Sequence, residues 1–102
     1  MEFEIKSENE NFRFIIYNGE DGENSIGHVC SKSDLNYLLT EASAALSNDQ
    51  PIINQGMFAL IVGQNRIKPY RLIVYDDHSI GIRISKFDIN KLKAILEEFF
   101  HG

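Results

Sequence analysis

Tryptophan is absent from this 102-residue chain, cysteine occurs once and proline twice. With Cys30 alone, neither an intrachain disulfide nor a cysteine-based zinc site can form. Long apolar runs are missing as well. The longest, MFALIVG from Met57, falls far short of a bilayer span and suits a buried strand. The first residues, MEFEIKSENE, have neither the basic start nor the apolar stretch of a secretory leader. Bases are scarce, ten against fifteen acids, for a net charge of −5. That deficit weighs against sequence-independent nucleic-acid binding, which draws on phosphate neutralisation. The expectation from these absences is a soluble chain in a reducing compartment, the cytoplasm.

What is present is a repetition. Ser25, Ile26, Gly27, Ser31, Lys32, Asp34, Asn36 and Leu38 recur in register as Ser79, Ile80, Gly81, Ser85, Lys86, Asp88, Asn90 and Leu92. Upstream, with a shorter loop between, Arg13, Ile15 and Tyr17 recur as Arg71, Ile73 and Tyr75, and Phe3 falls on Phe58. The expected organisation is one domain made of two internal repeats, residues 1–47 and 57–102, joined by a linker at 48–56. At 43% hydrophobic residues, such a chain can bury one modest core.

Each repeat reads as strand, strand, turn, strand, helix. RFIIY and RLIVY carry the β-branched and aromatic residues that strands favour. DDH suits a tight hairpin, and NGEDGEN a longer one. Ser31-x-x-Asp34 and Ser85-x-x-Asp88 are capping boxes with Asp in the place usual for Glu, so they mark helix starts and not serine–lysine catalysis. Behind them, Leu35, Leu38, Leu39, Ala42, Ala45 and Leu46 fall at helical spacing, as do Ile89, Leu92, Ile95, Leu96, Phe99 and Phe100. The predicted class is α+β: the duplicated strand-strand-strand-helix unit forms an antiparallel or mixed sheet with two helices on one face. GMFALIVG, apolar on both faces, reads as a central strand. Alternation turns Phe12, Phe14 and Ile16, and Tyr70, Leu72 and Val74, toward the helices. Arg13, Ile15 and Tyr17, and Arg71, Ile73 and Tyr75, then point away.

Catalytic constellations are thin. His28 and Cys30 share a strand face, which suits a thiol–imidazole pair, yet their counterparts are Ile82 and Ile84, members of an apolar set. His78 and His101 have no ligand spacing around them, so no metal is expected. The glycine-containing loop NGEDGEN is too acidic to hold phosphate and lacks the calcium-loop pattern. Gly27 and Gly81 stand inside strands, where glycine marks a bulge or a close approach. No enzyme activity and no cofactor are expected.

Charge is uneven along the chain. Residues 1–50 hold ten acids and three bases, residues 51–102 five acids and seven bases. Two binding surfaces follow. One is an acidic patch of Glu8, Glu10, Glu20, Asp21 and Glu23, matched to a partner protein with a basic surface. The other is a sheet face carrying Arg71, Ile73, Tyr75 and Arg83, with Arg66 and Lys68 at its rim. Arg and Tyr are residue types that dominate interface hot spots and that also stack on bases. The expected function is a non-enzymatic protein-binding module: a small acidic inhibitor, or a protein of the immunity or mobile-element type, able to pair with a second copy through its open sheet face. The alternative is single-stranded nucleic-acid binding by the Arg/Tyr face of the second repeat. Repeated strands closed by one helix resemble, in plan only, the PUR-repeat and Whirly-type single-strand-binding proteins. No membrane partner is expected.

Overall fold

In chain order, a computed structural model of the protein runs β1 (Glu2–Glu8), β2 (Asn11–Asn18), β3 (Asn24–Cys30), α1 (Lys32–Asn48), β4 (Phe58–Val62), β5 (Tyr70–Val74), β6 (Ile80–Ile84) and α2 (Lys86–His101). It describes residues 1–18, 24–48, 56–62, 66–75 and 80–102. The fold is α+β, with the strand-strand-strand-helix order occurring twice. Every strand pairing is antiparallel, and the strands divide into two three-stranded sheets, β1-β2-β3 and β4-β5-β6. No helix among the described residues is long and apolar enough to cross a membrane.

The register is the same in both units. Phe3 pairs with Ile16, Phe14 with His28 and Arg13 with Val29. Phe58 pairs with Val74, Leu72 with Ile82 and Arg71 with Arg83. The β1–β2 turn uses Asn9 at φ 55°, a left-handed conformation that Asn tolerates better than most residues. Alternation then sorts the side chains by face. Phe14, Ile16, Tyr70, Leu72 and Val74 are buried, as are Leu35, Leu38, Ala42 and Ala45 of α1 and Ile89, Leu92 and Leu96 of α2.

The helices are exchanged between the units. Helix α1 packs against β4, the first strand of the second unit, and α2 packs against β1, the first strand of the first; the two helices also touch each other. Phe14 sits where the units meet. Its ring stacks on Phe3 at 5.8 Å and meets Phe58, from the other sheet, edge-on at 5.2 Å. Phe12 meets Phe99 of α2 at 5.0 Å. One core therefore serves both sheets.

Strand β4 departs from expectation. Phe58, Ala59 and Leu60 are all buried, so both of its faces are covered, yet it stands at the edge of its sheet. Phe58 and Leu60 share a face with Val74 and Leu72, and Ala59 lies opposite Ile73 on the reverse. The two-sided apolar pattern reports burial here and not a central position in the ladder.

Both capping boxes form. In α2, Ser85 Oγ accepts from the Asp88 amide at 3.1 Å, and Asp88 Oδ2 accepts from the Ser85 amide at 3.0 Å. In α1, Ser31 and Asp34 make the same pair of bonds at 3.1 and 3.0 Å. Each aspartate has a second use. Asp34 Oδ1 accepts from the Met57 amide at 3.1 Å, and Asp88 Oδ1 lies 3.9 Å from the Met1 amino group. Gly56, at φ 74°, makes the first contact possible, because a Cβ there would lie 2.6 Å from Asp34 Oδ1. The short Asp side chain thus ties the start of each helix to the start of the other unit's first strand.

Candidate functional site

The face of each sheet that points away from the helices carries the Arg-x-Ile-x-Tyr stripe. On the first sheet, Glu2, Glu4 and Lys6 stand opposite Tyr17, Ile15 and Arg13 and share that face. Arg13 is held by Glu8, its diagonal neighbour across the hairpin. Its Nε donates to Glu8 Oε2, and a terminal NH2 donates to Oε1 at 2.8 Å. This paired hydrogen bonding raises the Arg13 pKa and lowers that of Glu8. Tyr17 donates its hydroxyl to Glu4 Oε1 at 2.7 Å, which raises the phenol pKa. Lys6 adds an ion pair to the same carboxylate at 3.7 Å. Arg13 and Tyr17 are half-buried and Ile15 is buried. This face neutralises itself.

The second sheet uses the same positions differently. Arg71 and Arg83 are directly opposite each other on β5 and β6, and both are exposed. Ile73 is half-buried and Tyr75 is 48% exposed. Among the described residues neither arginine makes an ion pair, and the Tyr75 hydroxyl has no hydrogen bond. The register explains the difference. Where the first unit has Glu4, the second has Ala59; where the first has Val29 opposite its arginine, the second has Arg83.

Glycine shapes both faces. A Cβ at Gly27 would lie 3.0 Å from Arg13 Cδ, and one at Gly81 would lie 3.4 Å from Arg71 Cδ. The arginine stem therefore lies across the glycine in each sheet, which accounts for the repeated glycine as a point of close approach.

Arg66 and Lys68 are exposed on the connection leading into β5, at the end of the sheet nearer Arg71 and Arg83. Residues 66–75 and 80–87 contain Arg66, Lys68, Arg71, Arg83 and Lys86, and no acid. Like charges directly opposite in a sheet are unfavourable, so the arginine pair is a local electrostatic debt left unmet by the chain's described residues.

Glu8 is engaged by Arg13, and Glu10 is exposed in the β1–β2 turn. Glu20, Asp21 and Glu23 lie outside the described residues, as does His78.

Cys30 and His28 are both buried. Burial pushes the Cys30 thiol up to about 11, with Asp34 adding to the effect, so the thiolate a nucleophile needs is disfavoured. No group of three or more His, Cys, Asp or Glu residues suited to a metal ion occurs among the described residues.

One residue was missed by sequence reasoning. Glu41 is 2% exposed on the packed face of α1, and neither carboxylate oxygen has a hydrogen-bond partner. Burial pushes its pKa up to about 7. The signal was available, since Glu41 interrupts the apolar stripe at the position where the second unit has Ile95.

Compared with known protein families, curated proteins and solved structures, the chain matches none.

Proposed function

We propose that this chain is a non-enzymatic binding module that holds an acidic segment of a partner protein on the outer face of the β4–β6 sheet. The observation that carries the reading is Arg71 directly opposite Arg83, both exposed and without a carboxylate among the described residues. Half-buried Ile61 and Ile73 and exposed Tyr75 give the same face an apolar and aromatic centre for a peptide to cover. An acidic partner fits this face better than a second copy, because two copies would set Arg71 and Arg83 against their own equivalents. It also fits better than a nucleic acid, since a net charge of −5 with only ten basic residues disfavours binding a long polyanion.

The test is a fluorescence anisotropy titration with a labelled peptide of alternating Glu, Leu and Tyr, run at low salt beside labelled oligothymidylate. The expected result is saturable peptide binding that weakens as salt rises and is lost in Arg71→Glu/Arg83→Glu. Peptide binding untouched by that double variant overturns the assignment of the face. Tighter binding of the oligonucleotide than of the peptide replaces the reading with single-strand binding.

A further inference from the structure

We propose that the Arg71–Arg83 pair receives a doubly charged phosphate monoester, carried on a phosphorylated side chain of the partner segment. The inference rests on the reading above that this sheet face is the docking surface, and it names the group recognised there.

The first unit shows what a single carboxylate does on this scaffold. Glu8 takes one guanidinium, that of Arg13, through two hydrogen bonds, and the residue opposite Arg13 is the uncharged Val29. One carboxylate satisfies one arginine. The second unit offers two guanidiniums at the matching pair of positions and no carboxylate among the described residues. Their Cβ atoms stand about 4.5–5.5 Å apart, as for any directly opposed antiparallel pair, so both forks can reach one group.

A carboxylate on a partner would bring one charge and two acceptor oxygens, which leaves half of that pair unmet. A phosphate monoester brings close to two charges at neutral pH and three acceptor oxygens, enough for both forks. The planar guanidinium is the side chain best matched to such bidentate contacts. Arg71 has its stem laid over Gly81, where no side chain competes for the space above the sheet. Beyond it come Ile73 on β5 and Tyr75 just after the strand, placed to cover the residues that flank a phosphorylated side chain.

The experiment uses the full chain and two labelled peptides of the same Glu, Leu and Tyr composition. They differ only at the central residue, which is phosphoserine in one and Glu in the other. Wild-type protein is expected to bind the phosphopeptide roughly tenfold more tightly, the size of step that about 1.4 kcal/mol of added hydrogen bonding gives. Arg83→Val, which installs the first unit's residue, should bring the two affinities together while the Glu peptide still binds. Arg83→Gln serves as a second variant of unchanged polarity, and circular dichroism checks that both remain folded. Equal affinities on the wild type overturn the phosphate inference and leave the docking reading standing. Failure of both peptides to bind overturns the docking reading itself. A phosphate preference that survives both Arg83 variants overturns the assignment to this pair.

Discussion

On the first sheet Arg13 ends on Glu8 and Tyr17 on Glu4, whereas on the second Arg71 and Tyr75 hold the same register and meet no carboxylate among the described residues. At the described positions, the first face has Glu2, Glu4, Lys6 and Val29 where the second has Met57, Ala59, Ile61 and Arg83. The inner faces, by contrast, are apolar in both units apart from His28 and, on α1, Glu41. Folding requires the inner face, because a small domain has little apolar area to spare. Nothing in folding requires an unmatched pair of arginines, which a sheet would be more stable without. The second face carries a destabilising feature that the first shows how to remove, and that is why binding is assigned to it.

The comparison of inner faces breaks most sharply at Phe14. Its counterpart Leu72 is also fully buried, and Phe14 meets a ring of the other sheet, Phe58, edge-on. Phe14→Ala is expected to cost about 3–5 kcal/mol, toward the upper end, and Leu72→Ala about 2–4 kcal/mol, as core truncations of these sizes do. Urea unfolding of the two variants decides the order. A larger loss at Leu72 would mean that Phe14 does not join the units.

The next largest difference is Glu41 against Ile95. A buried carboxyl raised to about 7 makes the folded state hold a proton that the unfolded chain releases near 4.5. Stability from this group is therefore complete below pH 4.5, declines as pH rises toward 7 and is level above it. With each pKa unit equivalent to about 1.4 kcal/mol, the decline amounts to roughly 3 kcal/mol. Strand β4 has no titratable side chain, and the charged groups of α2 (Lys86, Asp88, Lys91, Lys93, Glu97, Glu98 and His101) do not contribute to the shift, which comes from burial alone. Glu2 and Glu8, whose pKa values are lowered by Lys91 and Arg13, act below this window and with the opposite sign. Glu41→Gln and Glu41→Ile should both flatten the decline between pH 5 and 8. An unchanged slope in both would remove Glu41 from the account.

Much of this was legible in the residues, and the illegible part has a common cause. The alternation of β2 and β5 and the two Ser-x-x-Asp boxes depend on neighbours within a few positions, so they could be read directly. The exchange of helices could not. Because the two units share one pattern, α1 is as well matched to β1 as to β4, and only the packed core distinguishes them. The edge position of β4 was hidden for the same reason, since burial by a helix and burial within a ladder leave the same apolar signature. At the site, the stripe itself was legible, but the pairing of Glu8 with Arg13 depends on the register set by the Asn9 turn.

Smaller effects are expected at the caps. Ser31→Ala and Ser85→Ala remove equivalent hydrogen bonds and should each cost about 1 kcal/mol. Asp34→Ala should cost more, about 1–2 kcal/mol, because the Met57 amide loses its acceptor along with the helix start. Thermal unfolding of the three variants compares them. Equal losses for Asp34→Ala and Ser31→Ala would show that the Asp34–Met57 contact contributes nothing to holding the units together.

The smallest expected change in stability is the most informative about the two outer faces. Glu8→Gln with Val29→Arg gives the first sheet the second sheet's arrangement: two arginines opposite each other and no carboxylate on Arg13. Both positions are solvent-accessible, and exposed ion pairs contribute little, so the melting temperature should barely move. Binding should respond instead. If the unmatched arginine pair is what recruits a phosphopeptide, the double variant acquires a second site, and calorimetric stoichiometry rises from one peptide per chain to two. Glu4 still holds the Tyr17 hydroxyl and neutralises Lys6, so the new site should be the weaker of the two. A stoichiometry that stays at one would mean that the arginine pair alone is insufficient, and that half-buried Ile73 and exposed Tyr75, more open than Ile15 and Tyr17 on the first sheet, select the partner.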